Sequence, residues 1–265
     1  MRRFFHPIAL VLLGSLVFVG CQTSTARKNT GSEKTSKASD LKPFDLETGI
    51  LTVACAPDYP PYEYEDENGD PAGIAVNVIT EVARRLDMEL RFQKLHRDEV
   101  MEALRDGTVD VTAWMPYSPA RSREFSLSVG WGETTSIVYV RKTSKFDTVS
   151  DVVPKVMAAS KGSLEQDALV RKGVTQLIAT ENIDEALMKT VTGAADGVGC
   201  NREVARIVME QHIGWKTSLR ELAPPLAVTP LTVASREGNG TLVYHISRVL
   251  LEMKRDGSLE QLTAI

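Results

Sequence analysis

The sequence is poor in the residues that build metal centres and nucleophilic active sites. Its 265 residues include only three cysteines and four histidines, and the histidines are scattered rather than grouped at metal-ligand spacing. It contains no Gly-x-Ser-x-Gly segment and no phosphate-binding P-loop. We therefore predict no metal, no cofactor and no catalytic residue, and a protein that is not an enzyme.

Aromatic residues are also scarce, and acidic residues outnumber basic ones. Aromatic residues make up 6% of the chain, and no basic patch rich in aromatics is present. The formal net charge is −4, and it becomes −6 if Arg2 and Arg3 are lost with a signal peptide. This composition argues against nucleic acid as a partner.

No apolar run is long enough to cross a membrane. The run from Ile8 to Val19 is shorter than the about 20 residues that a spanning helix needs. With Arg2 and Arg3 before it and Gly20 after it, the run has the layout of a secretory signal peptide over residues 1–20.

The segment Phe18-Val19-Gly20-Cys21 resembles a lipobox, the sequence at which bacterial lipoproteins are acylated on cysteine. An ordinary signal peptide with a chance cysteine is the alternative. We favour the lipoprotein, because residues 21–45 are polar and typical of a flexible tether. We expect export and a lipid anchor at Cys21 on a bacterial membrane, facing the periplasm or the cell exterior.

After Gly49, short apolar runs alternate with stretches of helical periodicity, which predicts an α/β fold. Pro224-Pro225 predicts a break before the next strand. The predicted strands are 50–54, 88–92, 109–113, 156–159 and 231–234, and the predicted helices are 78–86 with Asn77 as N-cap, 98–105 ending at Gly107, and 241–256 ending at Gly257.

A short pattern occurs twice. Gly107 follows a predicted helix and precedes Asp110 by three residues, and Gly193 and Asp196 repeat this step. Two similar α/β units predict two lobes.

Three segments carry a family resemblance. Tyr59-Pro60-Pro61-Tyr62-Glu63 resembles the Tyr-x-Pro-Phe-Glu motif of the family 3 bacterial extracellular solute-binding proteins. Ser118-Pro119-Ala120-Arg121 is similar to the family's Thr-Pro-Glu-Arg, and the segment from Leu250 to Leu259 is similar to its closing helix. The resemblance covers Gly49 to Ile265.

The resemblance implies a two-lobed periplasmic-binding-protein-like fold (type II), with two hinge strands near Ile137–Arg141 and Ala227–Thr232. Lobe 1 would comprise residues 46–141 plus 231–265, and lobe 2 residues 142–230. Such proteins close about the hinge on a small molecule. We expect a monomer that delivers its ligand to an ABC transporter permease in the membrane.

The resemblance assigns Arg121 to the ligand carboxylate, which a guanidinium fork fits well. A surface arginine is the alternative. Ser163, at the start of a predicted helix, would complete the carboxylate site or serve as a plain N-cap, with Leu164 where the family has a second threonine.

Tyr59 corresponds to an aromatic residue that lines the family's pocket, or else is a half-buried aromatic at a strand end. Trp114 stands where many relatives carry a small polar residue. Its ring would narrow the pocket or stack on the ligand, or pack in the hinge.

Asn201 falls where amino-acid binders of the family usually place an aspartate for the ligand ammonium. Arg97 falls near a ligand-facing aromatic position, or is a solvated arginine at a helix start. Together they suggest an organic acid or a modified amino acid. Cys55 and Cys200 are expected to be free thiols, one on each lobe.

Two other functions stay open at this point. Some proteins with this fold are cyclohexadienyl dehydratases, and such an enzyme would require a carboxylate in the cleft, for which Glu63 is the candidate. The third possibility is a ligand-sensing module read by a partner protein.

Overall fold

The computed structural model describes residues 44–264, apart from the side chains of residues 97 and 98. The predicted signal peptide, Cys21 and residues 22–43 of the predicted tether lie outside this part. Phe44 already belongs to the fold, because its backbone N–H donates to Oδ1 of Asn239 over 2.9 Å and its side chain packs against the core. Asp45 then caps a short 3-10 turn at Leu46–Thr48.

Strands and helices alternate along the described chain. The strands are β1 (Ile50–Cys55), β2 (Asp58–Tyr59), β3 (Glu63–Glu65), β4 (Pro71–Ala72), β5 (Glu89–Lys94), β6 (Val111–Pro116), β7 (Phe125–Leu127), β8 (Gly132–Arg141), β9 (Val156–Ser160), β10 (Gln176–Thr180), β11 (Gly197–Asn201) and β12 (Leu219–Arg236). The helices are α1 (Ile74–Arg85), α2 (Arg97–Asp106), α3 (Arg121–Glu124), α4 (Leu164–Arg171), α5 (Ile183–Thr192), α6 (Arg202–Gln211), α7 (Trp215–Ser218), α8 (Gly240–Asp256) and α9 (Ser258–Thr263).

One large sheet runs through the described residues in the order β10-β9-β11-β8-β12-β6-β1-β5, with β7 beside β12. At one end β5, β1 and β6 are parallel, and we call this group with its helices the first half. At the other end β10, β9 and β11 are parallel and form the second half. Helical connections between neighbouring strands produce this parallel pairing. Strands β2, β3 and β4 form a small separate sheet.

Two antiparallel strands, β8 and β12, connect the halves. β12 pairs with β8 from Leu219 to Leu231, and from Leu231 to Ser235 it pairs with β6 of the first half. β8 pairs in turn with β11 of the second half through residues 136–140. The predicted crossing at Ala227–Thr232 contains the point where β12 changes partner. The exact limits of the two lobes stay a prediction.

The predicted C-terminal helix matches α8 closely. Its six apolar residues of one face are all buried, and Gly257 ends the helix with a left-handed φ of 80°. Each such side chain contributes about 1.5–3 kcal/mol by leaving water. The six residues are Leu242, Val243, Ile246, Val249, Leu250 and Met253.

The repeated glycine-to-aspartate step has the same structural role in both halves. The Asp110 N–H donates to the Thr52 carbonyl over 2.9 Å, and the Thr52 N–H donates to Oδ2 of Asp110 over 2.8 Å. Asp196 and Val156 exchange the same two bonds, over 2.7 and 3.0 Å. Each pair ties a strand to its parallel neighbour, β1 to β6 and β9 to β11.

Two local predictions were wrong. Asn77 is not an N-cap: α1 begins three residues earlier at Ile74, and Asn77 lies exposed within it, its N–H bonded to the Gly73 carbonyl. Pro224-Pro225 does not end a strand, because β12 continues past it with a register shift between Leu222 and Ala227. The exposed prolines lie inside that shift, where no backbone donor is required.

Candidate functional site

Three aromatic rings meet where β1 and β6 end. The Tyr59 and Trp114 rings are in edge-to-face contact, with centroids 4.9 Å apart. The Tyr62 ring lies 6.2 Å from Tyr59 and 5.8 Å from Trp114. We call these three residues the aromatic triangle. Its separations are those at which aromatic pairs attract one another, so the rings hold each other in place.

Arg121 follows the strand that carries Trp114, beyond the last residue of that strand, Pro116. It begins α3, its backbone N–H donates to Oγ of Ser118 over 3.2 Å, and its Nη1 donates to the Pro116 carbonyl over 2.8 Å. The guanidinium is thereby oriented at the end of β6. Tyr59, Trp114 and Arg121, all predicted site residues, thus belong to one region of the first half.

Tyr62, which sequence reasoning did not select, reaches from the first half to the second. Its side chain is 2% exposed, and its hydroxyl donates to Oε2 of Glu203 on α6 over 3.4 Å. Burial and the nearby Glu203 carboxylate raise the pKa of Tyr62 to about 12, although hydrogen bonds with Thr134 and Asn201 oppose the increase. The hydroxyl therefore stays protonated and serves as a donor at neutral pH.

Asn201 is committed to the protein's own structure. Its Oδ1 accepts from the Val204 N–H over 3.0 Å, which makes it the N-cap of α6. Its Nδ2 donates to Oγ1 of Thr134 on β8 over 2.5 Å, and the residue is 2% exposed. Asn201 therefore joins α6 to a connecting strand at the junction of the halves.

Ser163 is the N-cap of α4, because its Oγ accepts from the Gln166 N–H over 3.1 Å. The Gly162 N–H donates to Oε1 of Gln166 over 2.6 Å. Of the two roles considered for Ser163, its oxygen has that of the N-cap in this structure. Arg97 is the first residue of α2, and its side chain lies outside the described part.

A buried carboxylate that sequence reasoning did not select lies on α4. Glu165 is 8% exposed, and its Oε1 accepts from the Ser136 hydroxyl on β8 over 2.7 Å. Gly199 on β11 makes room for the neighbouring Leu169 of α4, since a Cβ there would lie 2.8 Å from the Leu169 side chain. The sequence signal was weak: a glutamate in the first turn of a helix is usually a solvated residue favoured by the helix dipole.

Cys55 is the last residue of β1, and the side chain of Glu63 on β3 reaches the next residue of the chain, Ala56. Glu63 is 5% exposed, and its Oε2 accepts from the Ala56 N–H over 3.2 Å. Cys55 and Cys200 are both buried free thiols, as expected. Burial, followed by the Glu63 charge, raises the pKa of Cys55 to about 12, and burial raises that of Cys200 well above its usual range. Both thiols are therefore poor nucleophiles.

The protein consists of two α/β halves joined by two strands, and aromatic rings and an oriented arginine lie near the junction. These features are those of two-lobed ligand-binding proteins. The comparison with known families agrees. The chain belongs to the bacterial extracellular solute-binding proteins, family 3, whose model matches residues 51–264. The protein is a solute-binding protein of the predicted family.

Similar proteins support this assignment along the whole chain. The L-cystine-binding protein TcyA of Bacillus subtilis (strain 168) is 26% identical over 260 residues, which cover 96% of this chain and 95% of TcyA. The amino-acid-binding protein AabA of Dichelobacter nodosus is 24% identical over 215 residues, 78% of this chain and 83% of AabA.

Solved structures confirm the predicted fold. The P235GK mutant of ArgBP from T. maritima superposes with a TM-score of 0.70 at 26% identity, over 82% of this chain and 94% of that one. A histidine kinase sensor domain similar to periplasmic binding proteins has a TM-score of 0.74 at 24% identity, over 81% and 94%. The two-lobed α/β fold therefore also occurs in a sensor.

Two structural features do not occur within residues 44–264. No helix there is both long and apolar enough to cross a membrane. No group of three or more histidine, cysteine, aspartate or glutamate side chains is arranged there to hold a metal ion.

Proposed function

We propose that the protein captures a small carboxylate-bearing solute, amino-acid-like or an organic acid, between its halves and delivers it to an ABC transporter permease. The observation that carries this proposal is the bond from Arg121 to the carbonyl of Pro116, the last residue of β6, because β6 also carries Trp114 of the aromatic triangle. Family membership supports capture. Relatives named as ABC transporter binding proteins, such as the probable arginine-binding protein ArtJ of Chlamydia trachomatis, support delivery.

The chemistry of the site suits a carboxylate. Arg121 is held by its bond to the Pro116 carbonyl, so little side-chain entropy is lost when the guanidinium binds an anion. A planar fork of N–H donors can hold both oxygens of a carboxylate. The rings of Tyr59 and Trp114 offer an apolar face for the rest of the solute.

In the second half, Ser163 and Asn201 would line the site at the starts of α4 and α6, and their side-chain oxygens also cap those helices. Asn201 brings no charge, which favours an organic acid or a modified amino acid over a standard zwitterionic one. Arg97, at the start of α2, would add positive charge. Sub-micromolar binding of histidine, glutamine or arginine would contradict this preference.

We also propose that the protein is an exported monomer anchored by lipid on Cys21, and that it is not an enzyme. The extracellular family and the signal-like residues 1–20 support export. The bond between Glu63 and the Ala56 N–H gives this carboxylate a structural role, which weakens the dehydratase alternative. Incorporation of labelled fatty acid into the wild type and its absence in Cys21→Ser would test the anchor.

The capture proposal is tested by thermal shift on residues 39–265 with amino acids, dicarboxylates, aromatic acids and small peptides. A ligand that binds only the folded state raises the melting temperature. Arg121→Ala should lose about 2–5 kcal/mol of binding free energy for a carboxylate ligand. Arg123→Ala, an exposed arginine on the same short helix, is the matched control and should bind normally.

Arg121→Lys separates charge from geometry, because lysine keeps the charge and loses the fork. An acid that stabilises Arg121→Ala as well as the wild type would refute the role of Arg121. If no compound in the panel shifts the melting temperature, the sensor alternative gains weight, and a partner that binds the closed form should then be sought.

A further inference from the structure

The contact between Tyr62 and Glu203 joins residues 141 positions apart and crosses from one half to the other. On the first-half side, the Tyr62 ring is part of the aromatic triangle, and its hydroxyl is buried at the junction. Among the polar neighbours of this hydroxyl, Glu203 is the charged one, and a hydrogen bond to a charged group is stronger than one to a neutral group. Separation of the halves would remove Glu203 from the Tyr62 hydroxyl.

Glu203 is available for this role because its neighbouring cation is engaged elsewhere. Arg202 forms a bidentate ion pair with Glu221 on β12, with Nη2 2.5 Å and Nε 3.1 Å from the carboxylate oxygens. Among the described side chains no ion pair to Glu203 occurs. The Glu203 carboxylate, half-buried in the first turn of α6, thus faces the Tyr62 hydroxyl.

The surrounding residues fix both partners of the contact. Asn201 caps α6 two residues before Glu203 and also bonds Thr134 on β8, which anchors the start of the helix to a connecting strand. Thr134 and Asn201 also lie within hydrogen-bonding reach of the Tyr62 hydroxyl. The first turn of α6 therefore has a defined position at the junction.

We propose that Glu203 is a positioning residue for solute capture, which acts through Tyr62 to hold the aromatic triangle of the first half against α6 of the second. The contact favours the closed arrangement of the halves and sets the orientation of the ring surface that the solute meets. This inference rests on the proposed function for its role in capture, but the contact itself can be tested without a solute.

The test measures distances between the halves in the full chain without added ligand. The chain carries Cys21→Ser, and spin labels are attached at Lys172→Cys in the second half and Lys254→Cys on α8, both exposed positions. Cys55 and Cys200 are buried and should not be labelled. Pulsed electron paramagnetic resonance then gives the distribution of distances between the labels, and from it the populations of closed and open molecules.

Tyr62→Phe removes only the hydroxyl, and Glu203→Gln removes only the charge. Tyr62→Phe should lower the ratio of closed to open molecules by up to about tenfold, since the lost bond goes to a charged group but is long at 3.4 Å. Glu203→Gln keeps an acceptor oxygen and should lower the ratio less. The double variant should show no further loss, because the two residues act as one contact. Tyr244→Phe, which alters an exposed tyrosine of α8, is the control and should leave the distances unchanged.

Three results would overturn the inference: distances unaffected by both substitutions, effects of the two substitutions that add in full, or no closed population in the reference chain. If Tyr62→Phe proves unstable, the half-buried Glu203→Gln carries the test. The proposed function is assessed separately, because Arg121→Ala should weaken solute binding and leave the ligand-free distances unchanged.

Discussion

The paired strand contacts of Asp110 and Asp196 lead to a prediction about where stability resides. Each carboxylate accepts a backbone N–H from a neighbouring strand, that of Thr52 for Asp110 and that of Val156 for Asp196. Replacing either aspartate by alanine removes this acceptor and leaves the N–H without its partner. Each substitution should therefore loosen one half more than the other.

The magnitudes follow from burial and charge. A hydrogen bond to a charged group contributes about 1.5–3 kcal/mol. Burial raises the pKa of Asp110, so part of this gain is offset by desolvation of the charged form, and we expect about 1.5 kcal/mol for Asp110→Ala. Asp196 also lies 3.8 Å from Nη2 of Arg141, but a partly exposed pair of this kind adds at most about 1 kcal/mol.

The assay is urea denaturation combined with hydrogen exchange. Asp110→Ala should lower amide protection chiefly in β1, β5 and β6, and Asp196→Ala chiefly in β9, β10 and β11. Asp106→Ala is the control: its carboxylate accepts the Thr108 N–H on the surface and should contribute less than either. Equal loss of protection in both halves, or a loss of free energy below that of Asp106→Ala, would refute the reasoning.

Three further predictions concern packing, acid and thiol chemistry. Ile246→Ala removes a fully buried side chain of α8 and should lower the free energy of unfolding by about 2–5 kcal/mol in urea titrations. Hydrogen bonds from two arginines of α1, chiefly Arg84 and then Arg85, hold the pKa of Glu81 at about 2. The stability that the ionised Glu81 gives the folded protein is therefore present above pH 4.5 and is lost as the pH falls towards 2. Glu81→Gln should flatten that acid dependence. Cys55 and Cys200 should react with a thiol reagent in the native protein only at the rate of opening.

Each of these predictions has a distinct contrary result. Leu251→Ala, at an exposed position of α8, should lower the free energy of unfolding much less than Ile246→Ala does. An equal decrease would contradict the packing argument. An unchanged acid profile in Glu81→Gln would show that the Arg84 contact does not contribute. Rapid labelling of native Cys55 or Cys200 would contradict their burial.

The parts of the fold that local periodicity encodes were predictable. The apolar face of α8 and the glycine at its end follow from the spacing of six residues, and the family motifs around Tyr59 and Arg121 led to the correct fold. Pro224-Pro225 was misleading, because a register shift within a long strand accommodates prolines that would otherwise end it.

The candidate site was predictable only in part. Ser163 and Asn201 occupy helix starts, where one side-chain oxygen can either cap the helix or bind a ligand, and spacing cannot distinguish these roles. The Tyr62 contact with Glu203 depends on how the halves meet, and no local pattern links positions that distant. The pairing of Ser136 with Glu165 was missed for the same reason.

The course of β12 has a consequence for the order in which the chain can assemble. β6 finds its antiparallel partner only after more than a hundred intervening residues, at Leu231 to Ser235. During synthesis, which starts at the N-terminus, β9, β10 and β11 are therefore available for pairing before the last strand of the first half and α8 have been made. The sheet of the first half can be completed only after β12 has been made. Until then, one edge of β6 is unpaired and can pair with other chains.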